Sequence, residues 1–445
     1  MPRKPTRALA PMAAAIATLV LFAALAAHAA ELARAEPRFG DSTWVAPNVV
    51  IQGTVTDPGP RVAKRDSERG WETAMRAPFR VAFFPVRLVA RGIEALGPLA
   101  EKIAPPGDLF RQARPKGRGL KFSPELLGAT VTAPEFAGPG SKAALTGTWS
   151  LTDARKLKFR GYVGDRVSDV GAGFAALYER KPARNFYGIG NASSPDKTIY
   201  LQRTELGDVY AFAGRNQLRR LRATLGIEDM DVGPGYNGSG SPKAVNVFDP
   251  DDVPFLNRGS RVWWYGASAN LAALDDSLQP SSGIHFMPDV RRYQSNDGTN
   301  VRYDQWRLEG RGYLPVFAKR RVLAARVVYE GVDRRPGSGP IPFYRLPNST
   351  DADAFAAFHS GRFRDNRLAL GRLEYRWEIE PPVDAFLLGE LGEVAPNTGA
   401  LALRSAHTSL GGGLRAKIGE LQAVRLELAH GHEGLVIRAN LSAEF

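Results

Sequence analysis

From Gly119 to the C-terminus, apolar and polar residues alternate with a period of two, in segments of about ten residues separated by Gly, Asn, Asp and Pro. Leu221, Ala223, Leu225 and Ile227 stand against Arg220, Arg222, Thr224 and Glu228. Leu323, Ala325, Val327 and Tyr329 alternate with Ala324, Arg326, Val328 and Glu330. Ala369, Leu373, Tyr375 and Trp377 alternate with Arg372, Glu374 and Arg376. Similar runs include Leu145, Gly147, Trp149 and Leu151, and Leu157, Phe159 and Val163 opposite Lys156, Lys158 and Arg160. Each segment is a strand with one apolar and one charged face.

Alternation alone does not choose between a soluble sandwich and a membrane barrel, because a sandwich also has one apolar face per sheet. Two features favour the barrel. No helical segments interleave after Gly119 to cover so many apolar faces, and aromatic residues sit near segment ends at Tyr162, Tyr178, Trp263, Trp264, Tyr265, Tyr313, Tyr329 and Trp377, as an interfacial girdle requires. Lipid would force the sheet to close on itself. The fold class expected for 111–445 is therefore all-β, a transmembrane antiparallel β-barrel. About fifteen segments can be counted; barrels of this kind usually have an even number, so sixteen strands are expected. The uncounted one falls near Phe122–Val131 or within Glu228–Arg258.

The last strand is the sharpest case. Leu435, Ile437, Ala439, Leu441, Ala443 and Phe445 form one apolar face, and Val436, Arg438, Asn440, Ser442 and Glu444 a mostly polar one. An alternating last strand with a terminal aromatic resembles the signal by which bacterial outer-membrane barrels are delivered for insertion. That resemblance implies outer-membrane lipid as surroundings and the outer-membrane assembly machinery as a partner for the chain's own insertion.

The N-terminal region lacks this period. Arg3, Lys4 and Arg7 precede an apolar run and Ala27-His28-Ala29, the layout of a secretory signal peptide over 1–29. Segment 30–110 reads as a periplasmic tail followed by a short amphipathic helical stretch from Ser67 to Ile103, interrupted at Pro78, Pro85 and Pro98. That stretch suits packing inside or beneath a barrel, or lying in the membrane interface. Beyond the leader there is no run of eighteen apolar residues, which excludes a helical membrane bundle.

Losing the leader's three basic residues takes the formal charge from +13 to +10. In an exported chain this points to anionic headgroups or a charged lumen rather than nucleic acid. The chain has no cysteine, so disulfides and thiolate chemistry are excluded.

Several motifs, in order, resemble the BamA/TamA family of outer-membrane assembly proteins (the bacterial surface antigen superfamily). Arg184 through Asn191 is a glycine-punctuated turn similar to one early in that family's barrels. Trp306 to Tyr329 resembles the hairpin before its longest loop, here Gly331–Phe363, which carries Ile341-Pro342-Phe343-Tyr344-Arg345-Leu346-Pro347 and is followed by Phe358 to Asp365. The resemblance implies that this loop folds into the lumen, and that an arginine in a hydrophobic-Arg-Gly-aromatic tip meets an acidic residue on the barrel wall. Here the tip reads Phe355-Ala356-Ala357-Phe358 and lacks both arginine and glycine, while the wall motif Leu388 to Gly392 offers Glu390. The expected lumen pairing is Arg362 or Arg364 with Glu390, bidentate in a shielded lumen; the alternative is that all three are ordinary solvated lumen charges. No clear periplasmic client-binding module precedes the barrel. The implied role is insertion or translocation of client membrane or secreted proteins, without enzyme activity or cofactor. The alternatives are a passive channel with a basic lumen (Lys156, Lys158, Arg160, Arg220, Arg222) and a soluble exported β-sandwich.

Other signals carry less. Ser42 in Phe39-Gly40-Asp41-Ser42 lies in the tail, outside any nucleophile elbow. His430, His432 and Glu433 lack a clear further protein ligand for a metal, and Asp249, Asp251 and Asp252 read as a solvated turn.

Overall fold

A computed structural model describes residues 119–441, less the short segments 124–126, 139, 150–153, 165–169, 217–218, 237–239, 277–278, 317, 351–354, 381–382 and 419–421. The leader 1–29, the segment 30–110 with its helical stretch, and Ala443 and Phe445 lie outside the described residues.

The period-two pattern becomes strands throughout. The first eight are β1 (Gly119–Ser123), β2 (Leu127–Pro134), β3 (Lys142–Trp149), β4 (Arg155–Val163), β5 (Val170–Phe186), β6 (Thr198–Asn216), β7 (Arg219–Pro234) and β8 (Ser260–Leu274). Then come β9 (Gly283–Ser295), β10 (Arg302–Val316), β11 (Ala318–Arg334), β12 (Arg367–Glu380), β13 (Val383–Ala395), β14 (His407–Ile418), β15 (Gln422–Gly431) and β16 (Gly434–Leu441). Each pairs with its neighbour in chain order in one antiparallel sheet, and among the described residues no ladder joins β16 to β1. No helix among the described residues is long and apolar enough to cross a membrane.

The two faces match the alternation. On β7, Leu221, Leu225 and Ile227 are about half exposed on the outside, while Glu228, Met230 and Val232 are buried inside. Leu435 and Ile437 of β16 are 59% and 68% exposed. A water-soluble sheet would hide such a band; here it runs across the outer face from β2 to β16. Outward aromatics flank it. Trp263 stacks on Tyr265 and Trp306 meets Tyr329 toward one end, while Tyr375 and Trp377 lie toward the other. Three of the expected girdle residues are not in it: Trp264 and Tyr313 are buried on the inner face, and Tyr162 shares that face with Lys158 and Arg160, because a residue next to an outward one must point the other way.

Connections are sorted by end. Those after β5, β7, β9, β11 and β13 (187–197, 235–259, 296–301, 335–366 and 396–406) share one end, and all seven of the other end's turns span eight residues or fewer. The sheet curls enough for loops distant in sequence to meet. Asn191, after β5, donates from Nδ2 to the Ser405 carbonyl at 2.7 Å and accepts at Oδ1 from the Val394 amide at 3.1 Å.

Candidate functional site

The loop between β11 and β12 is the part of the fold that does most inside the sheet. β11 continues to Arg334 and β12 begins at Arg367, so the loop spans 335–366, shifted from the expected Gly331–Phe363 because both flanking strands keep their ladder, from Tyr303 paired with Arg334 to Arg367 paired with Ala395.

Its first half packs into the long-loop end. Phe343 is fully buried, 4.8 Å from the Phe186 ring and 5.1 Å from Tyr200, and Tyr344 donates its hydroxyl to Ser260 Oγ at 2.9 Å. Arg345 pairs with Glu228 of β7 at 2.6 Å. Burial of this guanidinium alone would favour loss of its proton, but Glu228 and the surrounding tyrosines outweigh that and hold its pKa above the ordinary value.

The tip, 355–358, docks through its backbone. The Ala356 amide donates to Glu390 on β13, the Ala357 amide to Ser409 Oγ on β14 at 3.1 Å, and the Phe355 and Phe358 carbonyls both accept from Arg438 on β16, the former at 2.7 Å. Phe355 lies against Gly392 and Phe358 against Gly431, where a Cβ would collide or crowd. Phe355, Phe358 and Phe363 then form a buried core with Val328, Leu370 and Leu388. Four successive wall strands are thereby in contact with one loop tip.

The expected pairing of Arg362 or Arg364 with Glu390 does not form. Arg362 bonds Glu433 in the β15–β16 turn at 2.7 Å, and Ser193 Oγ and carbonyl at 2.7 Å each. Arg364 is fully buried, donates to the Phe343 carbonyl at 2.8 Å and sits over the Phe186 and Phe343 rings. Glu390 instead holds the tip amide and lies 3.5 Å from Arg372. The physical reason is reach. Arg362 and Arg364 follow the tip on the returning limb, which runs along the β5–β6 loop, with Gly190 donating its amide to the Arg364 carbonyl at 2.8 Å. Neither is a solvated charge. Leu435, Ile437 and Ala439 face outward on β16, as the alternation required, with Arg438 inward.

Behind the tip, β12 to β15 carry a buried ion network. Arg372 reaches Glu427 at 3.0 Å, Arg425 reaches Glu374 at 2.6 Å and Glu427 at 2.7 Å, and Arg376 reaches Glu374 at 2.9 Å. Glu309 on β10 gathers Arg307, Arg311 and Arg326 within 2.8 Å. The sequence does not mark Ser409, shows Arg372 and Arg438 only as polar-face residues of their strands, and shows Glu433 only beside His430 and His432, which lack a clear further metal ligand. The signal for Arg438 was its place on the polar face of the last strand. His430 faces outward, while the His432 ring stacks on His407 at 5.0 Å inside the mouth.

These features define a class: an antiparallel barrel-type sheet with an apolar exterior, a charged interior and an infolded long loop. Among solved structures the chain is similar to BamA from Haemophilus ducreyi lacking POTRA domains 1-3, with a TM-score of 0.52, 16% identity and coverage of 71% of this chain and 66% of that one. It also matches CdiB from Escherichia coli, with a TM-score of 0.47, 11% identity and coverage of 71% of this chain and 58% of that one. The chain thus spans less than two thirds of the length of these neighbours. The BamA likeness establishes a shared fold. No protein-family model matches the chain, and no curated protein matches it in sequence.

Proposed function

We propose that this chain is a bacterial outer-membrane β-barrel of the BamA/TamA type that assists insertion or translocation of outer-membrane or secreted proteins. The observation that carries this reading is the loop tip held by Arg438 of the last strand. A loop that is anchored in the lumen and also grips the terminal strand couples what fills the barrel to the strand at its seam. When the seam opens, the freed edge of β16 presents unpaired amides and carbonyls with which a client strand can pair. No covalent chemistry is involved. Outer-membrane lipid covers the apolar band, client barrels or secreted chains meet the edge, and the assembly machinery inserts the chain itself.

The test uses the full chain reconstituted in liposomes, with an unfolded barrel supplied from outside. Insertion faster than in empty liposomes, abolished by a disulfide engineered between the tip and β14, supports the role; equal rates in protein-bearing and empty liposomes refute it. Membrane fractionation with heat-modifiable gel mobility tests the barrel separately. A second reading, an anion-preferring channel, is favoured by the inward Lys156, Lys158, Arg160, Arg220 and Arg222, and anion-selective conductance in planar bilayers would support it over the first.

A further inference from the structure

On the inner wall of β5 to β9 the same three-layer arrangement occurs three times. A glycine is paired across the ladder with an aromatic residue that lies flat over it, and an arginine stacks on the ring. Gly171 lies under Phe212, Gly173 under Tyr210 and Gly226 under Trp264, and at each of the three a Cβ would collide with the ring. Arg220 sits 4.2 Å above Phe212, Arg222 3.6 Å above Tyr210 and Arg291 5.0 Å above Trp264. A guanidinium laid on a ring is fixed in orientation while its edge N–H groups stay available.

Around Arg222 the charges are unbalanced. Lys158, in the neighbouring part of the wall, feels the cations Arg160, Lys156 and Arg222 on one side of the balance and the carboxylate of Asp208 on the other. Asp208 is 3.7 Å from Arg222, too long for a good hydrogen bond, and its Oδ1 has no hydrogen-bond partner. Glu179 is shared by Lys156 at 3.3 Å and Lys181 at 2.9 Å. Arg160, Arg220 and Arg222 lie toward the short-turn end of the lumen, away from the loop plug, since β4 ends at Val163, β6 ends at Asn216 and β7 begins at Arg219, whereas Lys156 and Lys181 lie nearer the other end. Lys158, Arg222 and Arg291 thus converge on the one carboxylate of Asp208, with Arg160 beside Lys158, in a site held rigid by glycine-seated rings.

We propose that this wall is a binding site for a multiply charged oxyanion, a phosphate-rich group approaching from the short-turn mouth, with Arg222 and Lys158 as its central ligands and Arg160 and Arg220 flanking. Phosphate fits because its oxygens can be divided between the guanidinium edge and the ammonium, and more than one charge is needed to balance the surplus. The site rests on the barrel reading and is independent of the insertion role.

The experiment is calorimetric titration of the detergent-solubilised full chain with tripolyphosphate and with dihexanoyl phosphatidic acid at low and high salt. Heat-modifiable mobility of the same sample checks the barrel, so that a failed barrel is told apart from a failed site. Saturable, salt-weakened binding of either probe supports the site; tighter tripolyphosphate binding assigns a soluble phosphate compound, and tighter phosphatidic acid binding a lipid headgroup. The double substitution Lys158→Ala with Arg222→Ala weakens binding by about tenfold or more, and Lys197→Ala, in the distant β5–β6 loop, leaves it unchanged. Where the double variant loses heat-modifiable mobility, Arg222→Lys alone serves, since it keeps the charge but not the planar edge. The proposal is overturned by absence of saturable binding, by equal binding of wild type and correctly folded variants, or by preference for a glutamate-rich peptide over both phosphate probes.

Discussion

The two halves of the lumen wall use one device to opposite ends. On β13 to β15, Gly413 lies under Phe386 and Arg425 stacks on that ring at 3.8 Å, the same layering as Gly173, Tyr210 and Arg222 on β5 to β7. Arg425 is then closed in by Glu374 and Glu427 and is 2% exposed, whereas Arg222 has only the distant Asp208 and is 39% exposed. Stacking on a ring fixes an arginine's direction, and the carboxylates nearby decide whether it becomes part of the wall or remains a ligand. In the half that carries the loop tip the stacked arginine is closed in by carboxylates; in the other half it is not.

The largest effect should come from breaking the closed-in side. Arg425→Met leaves the fully buried Glu374 to Arg376 and Glu427 to Arg372, each one partner short, and should cost about 3 kcal/mol, the lower end of the usual penalty for breaking a buried ion pair. Arg222→Met should cost under about 1 kcal/mol, because its partner is distant and water reaches it. The check is the urea midpoint of heat-modifiable mobility for the two variants; equal losses would erase the distinction between the walls.

Next is the grip of the last strand on the loop. Arg438→Ala removes a charged donor from two tip carbonyls and should loosen the tip by about 2 kcal/mol. Amide exchange at Ala356 and Ala357 should accelerate accordingly. Arg362→Ala, which bonds Ser193 and Glu433 rather than the tip, should leave those two amides nearly unchanged. If Arg362→Ala frees them as strongly, the tip is not held by β16.

Seating the rings is worth somewhat less. Gly173→Ala drives a methyl into Tyr210 and should cost about 1–3 kcal/mol, like other overpacked sites, and should lower oxyanion binding by displacing Arg222. Gly310→Ala, with open space around the added methyl, is the matched control and should be nearly silent in the same urea titration.

How far all this was legible in the sequence depends on whether a period was present. β7 and β16 could be read residue by residue, since the alternation fixes which side chains share a face. The same rule corrects the reading of Trp263, Trp264 and Tyr265: three consecutive strand residues cannot all join an outer girdle, and Trp264 is the one that turned inward over Gly226. The loop has no period. From sequence Glu390 needs a cation, yet in the fold a backbone amide reaches it first, and nothing in the composition of 355–364 says that the tip docks through amides and carbonyls while Arg362 turns to Ser193 and Glu433 at the long-loop rim and Arg364 to the Phe343 carbonyl. Arg438 was visible as an inward charge, but its acceptors are carbonyls, which every residue has.

The smallest predicted effect lies at that rim, outside both walls. In the β9–β10 loop, burial disfavours ionisation of Asp297, but the Thr299 hydroxyl and the amides of Arg261 and Thr299 donate to it at 2.5, 2.6 and 3.0 Å and hold its carboxyl below the ordinary value. A carboxyl depressed on folding contributes stability that is present above the unfolded carboxylate range, near pH 4, and is lost as pH falls through its folded value. Asp297→Asn should therefore speed amide exchange at Arg261 and Thr299 at neutral pH, and the difference from wild type should shrink as the solution is acidified below about pH 4. Because the group is largely exposed, global stability should barely move and the effect should stay within the loop and the first residues of β8. A wild-type to variant difference that is constant from neutral to acid pH would show that the turn is held by its shape rather than by the charge. The contrast between charged and merely packed contacts would then end at the two inner walls.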